Sequence, residues 1–296
     1  MRAPNASPAP PIPCFHAIVH TNDYEDLYAL EESMWWFQGM REITAALLEP
    51  HCPPGPDRDV LDAGCGTGGM LARLAHYAGG GRVAGVDLVA DALHFCRERG
   101  HRSLARASVV ELPFRDECFD LVTSFDVLVQ LPGEGSDQQA VREMFRVLRP
   151  GGIAFVRAAA YNWLRSDHDR ALGSQRRYRL GALAALMEGA GFELERATYA
   201  NAVLLPVAVV RRMVLKRLGL AAPGSDVARV APALNRALAA VLRAEARLLR
   251  TPGARLPAGV SAICVARRPA APGQRAGANP ATASTTPPSS SGRSWG

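Results

Sequence analysis

The chain has no C-x-x-C pair: its six cysteines stand at 14, 52, 65, 96, 118 and 264, too scattered for a zinc-ligand set or a disulfide framework. No metal cofactor is expected, and a reducing compartment fits this cysteine usage best. Long apolar runs are also missing. The longest in the C-terminal third, Ala202 to Val210, contains Pro206 and meets Arg211-Arg212, far short of the ~20 residues that a membrane-spanning helix needs. The N-terminus has five prolines in residues 1–13 where a secretory signal would carry an apolar core, so a cytoplasmic location is expected and 1–13 reads as a disordered lead-in. Residues 269–296, rich in Pro, Ala, Ser, Thr and Gly, read as a disordered tail.

What remains is enough for a core, since 48% of the 296 residues are hydrophobic. One domain over 14–268 is expected. A helical prelude spans Asp23 to Leu48, with Met40, Ile43 and Leu47 on one face and Pro50 after it. Strands follow at Asp59–Ala63, Arg82–Leu88, Ser103–Val109, Asp120–Phe125 and Gly152–Ala158. Helices are read between them: one over Ala90–Arg99 and one carrying Val141, Met144, Phe145 and Leu148, closed by Arg149-Pro150-Gly151-Gly152. A helix at Leu180–Gly189, a strand at Phe192–Tyr199 and a last strand at Gly259–Ala266 complete the pattern. Repeated strand and helix imply an α/β fold with a doubly wound, mostly parallel sheet.

The stretch Val60-Leu61-Asp62-Ala63-Gly64-Cys65-Gly66-Thr67-Gly68-Gly69 organises the rest. It reads as a buried strand entering a glycine turn that opens a helix, a geometry that points free N–H groups at a bound ligand. Gly64, Gly66 and Gly69 satisfy G-x-G-x-x-G, and Asp87 ends the next strand where a ribose-binding acid is expected. At this point a nicotinamide cofactor and S-adenosylmethionine are both open, beside the bland reading of a glycine turn that binds nothing. Cys65 reads as a small packing residue of the loop.

The same loop spells D-x-G-x-G-x-G over Asp62 to Gly68. Three further segments follow in order: Glu111-Leu112-Pro113-Phe114, Cys118-Phe119-Asp120-Leu121-Val122, and Phe145-Arg146-Val147-Leu148-Arg149-Pro150-Gly151-Gly152. As a set this resembles the class I S-adenosylmethionine-dependent methyltransferases of the small-molecule, type 11-like group, over roughly residues 30 to 200. The resemblance implies a Rossmann-like seven-stranded sheet with an antiparallel last strand, and S-adenosyl-L-methionine as cofactor. Asp62 and the loop at Gly64, Cys65, Gly66 and Gly68 would surround the methionine part, Asp87 the ribose and Leu88 the adenine. Val109 and Phe125 complete that set, with Ser108 standing where the family usually has the Asp that meets the adenine amino group. Gln130 stands where a His is often found; a neutral amide cannot act as a base, which leaves Asp126 nearby.

For the acceptor, the residues point to two regions. Three adjacent aromatics, Trp35-Trp36-Phe37, cannot all face one core from a helix, because neighbours lie about 100° apart around its axis. Trp35 and Trp36 either pack the helix on the sheet or cover the cofactor. Beyond the fifth strand, Tyr161, Trp163, His168, Asp169, Arg177 and Tyr178 leave the carboxyl end of the sheet, where ligands bind in doubly wound folds, and with Trp35, Trp36 and Gln130 they form the expected acceptor set. His168, with an ordinary pKa near ~6.5, is the first candidate base for a hydroxyl acceptor, with Asp126 and Asp169 as alternatives. A polar connection without function is the competing reading of this loop.

About sixty residues, an insert over 201–258, separate the last two strands and read as two helices broken at Ala222-Pro223-Gly224-Ser225-Asp226. In the second, Arg236, Arg243, Arg247 and Arg250 fall on one face, and Leu234, Leu238, Val241 and Leu242 on the apolar side. From Arg211 to Arg268 twelve basic residues face only Asp226 and Glu245, whereas the whole chain carries +6. The insert could cover the cleft, pair with a second subunit or lie on a membrane surface, making the protein membrane-peripheral. The expected acceptor is a small molecule with an apolar and an anionic part, such as a prenyl-linked intermediate. Nucleic acid is disfavoured by the absence of an Asn/Asp-Pro-Pro-Tyr tetrapeptide. The alternatives are a nicotinamide-dependent oxidoreductase and a non-catalytic scaffold of the same fold; nothing in the sequence sets the oligomeric state.

Overall fold

The computed structural model describes residues 21–165, 169, 173–210 and 230–270. The expected lead-in, most of the expected tail, the Ala222–Asp226 break and His168 lie outside the described residues. Seven strands form one sheet in the order β3-β2-β1-β4-β5-β7-β6. They are β1 (Val60–Ala63), β2 (Val83–Asp87), β3 (Leu104–Arg106), β4 (Phe119–Phe125), β5 (Leu148–Ala159), β6 (Glu193–Ala200) and β7 (Ser261–Arg267). β1 pairs parallel with both β2 and β4, and β4 with β5; β7 runs antiparallel between β5 and β6. Every residue of β1 is buried, as a central parallel strand covered on both faces requires, and this explains its unbroken apolar pattern around Asp62. The third strand is shorter than expected, three residues at the sheet edge.

Two layers of helices cover the sheet. On one side α5 (Ser136–Val147) and α6 (Leu180–Gly189) lay Val141, Met144, Val147, Leu183 and Met187 on Leu61, Val122, Val156 and Cys264. On the other side α2 (Trp35–Leu48), α3 (Leu71–Ala78) and α8 (Pro232–Arg250) pack Ile43, Leu47, Leu74, Leu242 and Leu249 on Leu121, Phe155 and Ile263, while α4 (Ala90–Glu98) sets Leu93 and Cys96 beside Leu71. Three sequence expectations are corrected here. The helical prelude is two helices, α1 (Thr21–Leu30) and α2, because the chain turns at Glu31–Ser33. α5 does not run to Pro150; Leu148 is already extended and begins β5, which contains Gly151-Gly152. In α8 the buried stripe is Ala239, Leu242, Glu245, Ala246 and Leu249, whereas Leu234 is half exposed at 50%. The stripe rotates off Leu234 because the partner surface is α2, which runs alongside.

The contact between α2 and α8 is close. Gly39 faces Leu242 with no room for a methyl group between them. The residue preceding α2, Met34, offers no capping side chain, and Asn235 from α8 supplies one instead: its Oδ1 accepts the Trp35 N–H at 2.8 Å while its Nδ2 donates to the Ser33 carbonyl at 3.0 Å. The insert is anchored a second time by buried Glu245, whose carboxylate accepts the N–H groups of Asn201 (2.5 Å) and Ala202 (2.9 Å) where the chain leaves β6. Helix α7 (Leu205–Val209) follows, and 211–229 lie outside the described residues.

Candidate active site

The strand order reverses between β1 and β4, and the glycine loop leaves the carboxyl end of β1 at that switch point. Gly64 has φ +89°, and a side chain there would meet Val127 Cγ2 at 2.2 Å, so both backbone conformation and space call for glycine. Gly66 also has positive φ but opens onto free space, the kind of cradle a ligand fills. The Gly66 N–H donates to Asp87 Oδ2 and the Val89 N–H to Asp87 Oδ1, both at 2.9 Å. Each carboxylate oxygen is thus fixed by one backbone donor and keeps acceptor capacity for a diol.

Three carboxyl groups surround this loop. Asp62 is fully buried, and that burial pushes its pKa up to about 7 against the opposing effect of the Thr123 hydroxyl, which donates to Oδ1 at 2.8 Å. Burial also raises Asp87, while the N–H groups of Val89 and Gly66 pull it down. The third group is Glu31, which sequence reasoning missed. Its side chain lies against Gly69, accepts the Thr67 hydroxyl at 2.5 Å and pairs with Arg99 at 3.0 Å; burial raises its pKa, opposed by Thr67 and Arg99. The turn between α1 and α2 is thereby pinned on the glycine loop. Asp87 and Glu31 further raise Asp62, so the pocket disfavours its own negative charge and suits a ligand carrying positive charge.

A second group gathers at the ends of β4 and β5. Arg157 sits opposite Phe125 in the ladder and is buried; its Nε and Nη2 reach Asp126 Oδ2 at 2.8 and 2.7 Å. Its guanidinium lies 5.0 Å from the ring centres of both Trp36 and Phe125. Asp126 takes φ 59°, with its N–H donated to the Arg157 carbonyl at 2.9 Å. Trp36 therefore meets a buried cation, and Trp35 and Trp36 both pack against the α2 side of the core. The signal for Arg157 was present in the sequence: a lone arginine in the apolar run of the fifth strand.

The other expected residues separate into local clusters. Leu88 is exposed beside Asp87, Val109 is buried and the Ser108 hydroxyl accepts the Val110 N–H at 3.4 Å. Cys65 lies 3.9 Å from Cys96, whose thiol donates to the Gly66 carbonyl at 3.1 Å; the Cys65 thiol is pushed well up, first by its hydrogen bond with Cys96 and then by burial. Gln130 is exposed. Tyr161, at φ 60°, stacks on Trp163 (5.4 Å) and Tyr199 (5.2 Å), and burial pushes its pKa to about 12. Tyr178 donates to Asp137 at 2.7 Å. Arg177 and Asp169 are both buried and joined at 2.7 Å, with Arg177 Nη1 also on the Ala160 carbonyl at 3.0 Å. That pair ties the segment after β5 to the sheet.

Comparison with known proteins finds similar sequences and folds. The methyltransferase-domain family matches residues 61–156, from β1 into β5. A probable S-adenosylmethionine-dependent methyltransferase of Mycolicibacterium smegmatis is 34% identical over 169 residues, which is 56% of this chain and 62% of that protein. A probable S-adenosylmethionine-dependent methyltransferase of Mycobacterium tuberculosis is 32% identical over 154 residues, 52% of this chain and 51% of the relative. The chain thus spans between half and two thirds of the length of these relatives. Among solved structures, a phosphoethanolamine N-methyltransferase of Haemonchus contortus in complex with S-adenosyl-L-methionine superposes with TM-score 0.55 at 18% identity, over 84% of this chain and 57% of that one. At that identity the likeness is one of fold.

Proposed function

We propose that the chain is a class I S-adenosylmethionine-dependent methyltransferase that transfers the cofactor's methyl group to an O, N or C nucleophile of a small or lipid-like acceptor, a reading supported by the methyltransferase-domain match and the similar proteins. The observation that carries this reading is the glycine loop ringed by Asp62, Asp87 and Glu31, three carboxyl groups with raised pKa around one open cradle. The described residues fit the cofactor: Asp87 retains acceptor capacity for the ribose hydroxyls, and the loop and Asp62 suit a cationic amino acid. Leu88, Ser108, Val109 and Phe125 would border the adenine and the methionine arm. When bound, the cofactor supplies a methyl group already activated on a sulfonium.

What the chain adds is position, because orientation of the reacting groups supplies much of the rate in such a transfer. Glu31 holds the turn between α1 and α2 on the glycine loop, and Trp36 lies over Arg157. Arg157 fixes Asp126 at the mouth between β4 and β5, where that carboxylate can orient an acceptor amine or hydroxyl. His168 is the proposed base for a hydroxyl acceptor, since an imidazole can take a proton near neutral pH. Tyr161, Trp163 and Gln130 are proposed to line the acceptor side, with Arg177, Tyr178 and Asp169 shaping the loop that carries them. An acceptor with an apolar and an anionic part, such as a prenyl-linked intermediate, is proposed from the stacked Tyr161 and Trp163 and the exposed Arg165 that follows them in the chain. The test pairs two measurements. Calorimetric titration with S-adenosylhomocysteine should show binding where NADH shows none; the reverse would favour an oxidoreductase. Methyl-labelled cofactor incubated with cell-extract fractions should label a small molecule or lipid, and label only in RNA or protein would overturn the acceptor class.

A further inference from the structure

Seven large apolar side chains are exposed among the described residues, and their placement is uneven. Six of them, Leu88, Trp163, Val203, Val207, Val210 and Leu234, are carried by segments at one end of the sheet. Leu88 follows the carboxyl end of β2, Trp163 that of β5 and Val203 that of β6, and these three strands run the same way because β7 lies antiparallel between β5 and β6. Leu234 stands in the first turn of α8, which Asn235 ties to the start of α2, the helix whose Trp36 lies over Arg157. The glycine loop opens at this same end. Val203, Val207 and Val210 follow i, i+4, i+7 spacing and are 58%, 63% and 50% exposed, an apolar ladder that the described residues leave largely uncovered. Exposed Arg165, Arg179 and Arg236 belong to the same end: they follow β5, precede α6 and open α8.

We infer that this rim, with Val203, Val207 and Val210 as its apolar core and Arg165, Arg179 and Arg236 around it, docks the protein on an anionic lipid bilayer with the mouth of the site facing the membrane. Apolar side chains that enter the acyl boundary and cations that meet lipid phosphates are the two elements of interfacial binding. It shares only Arg236 with the arginine face of α8 considered from the sequence: Arg243, Arg247 and Arg250 lie further along that helix, away from the mouth. A bilayer is favoured over a second copy of the chain by a clause that rests on the proposed methyl transfer. A second copy seated on the rim would close both mouths to acceptor, whereas a bilayer leaves the mouth open to an acceptor dissolved in it.

The experiment is co-sedimentation of the full-length protein with vesicles of phosphatidylcholine, with and without phosphatidylglycerol, beside the double variant Val203→Asp/Val207→Asp. The wild-type protein should pellet with the anionic vesicles and release in high salt. The variant's partitioning should fall by roughly tenfold or more, the loss expected when two valines no longer enter an apolar phase. Calorimetry with S-adenosylhomocysteine on the same variant should be unchanged, which establishes that it is folded and separates this outcome from failure of the methyltransferase reading. Four results would overturn the inference: no vesicle binding by the wild-type protein, equal binding to both vesicle types, binding that survives the double substitution, or a wild-type dimer in gel filtration that the substitution dissociates.

Discussion

Replacing Gly39 by Ala sets two known effects against each other. In an isolated helix the change is favourable by about 1 kcal/mol, because glycine loses more backbone freedom on folding. In this protein the new methyl group would fall 2.3 Å from Leu242 Cδ1, 2.4 Å from its Cβ and 2.8 Å from its Cγ. A rotamer change could move Cδ1, but Cβ is fixed to the α8 backbone, so the two helices must separate by about 1 Å to restore ordinary contact. Overpacking of this kind costs roughly 1–3 kcal/mol, which meets or exceeds the helical gain. Gly39→Ala should therefore destabilise the protein by up to about 2 kcal/mol, read as a lower urea midpoint at unchanged slope. The diagnostic step is Leu242→Gly, which removes all three clashing atoms. That single change is strongly destabilising, since deleting a buried Leu side chain costs about 2–5 kcal/mol. In its background Gly39→Ala should become stabilising, by about 1 kcal/mol from helix propensity plus whatever cavity the methyl fills. If Gly39→Ala stabilises the wild-type protein, or its sign does not invert beside Gly at 242, the proposed steric origin of the α2–α8 contact is wrong.

Three further outcomes are expected. Asp87→Ala should weaken S-adenosylhomocysteine binding by at least about a hundredfold in calorimetry, two hydrogen bonds to a charged group being worth roughly 1.5–3 kcal/mol each; unchanged binding would remove Asp87 from the cofactor site. Asp62 has its pKa raised to about 7 in the folded protein, against an unfolded carboxyl at about 3.9, so the folded state holds the extra proton between those values and stability must fall as pH rises through that window, by up to about 4 kcal/mol. Asp62→Asn should abolish that slope between about pH 4 and 7 in urea titrations, and an identical slope in the variant would assign it to other groups. Glu31→Gln leaves Arg99 with Glu32 but removes its buried partner. It should cost up to about 3 kcal/mol and expose the glycine loop to faster amide exchange at Thr67 and Gly68; Thr67→Val, which keeps the ion pair, should cost less.

Sequence by itself determined the features that short-range physics controls. The glycine loop was legible because positive-φ backbone selects glycine residue by residue. The alternation of strands and helices was legible because burial on two faces or one stripe leaves periods of two and 3.6 in a contiguous segment. Asp62, Asp87 and the motifs up to Gly152 followed from those elements, and with them the resemblance to the methyltransferase domain that matches residues 61–156. Tertiary structure alone decided which distant groups meet. Glu31 joins Thr67, Asn235 caps α2 and Arg157 is set between Trp36 and Phe125 across gaps that leave no periodic trace, and a carboxylate bound for a buried contact reads in a sequence like one bound for solvent. The orientation of α8 shows the same limit. A helical pattern predicts that an apolar stripe exists, but the partner fixes its centre, and here the pinned glycine of α2 turned Leu242 inward and left Leu234 at the rim.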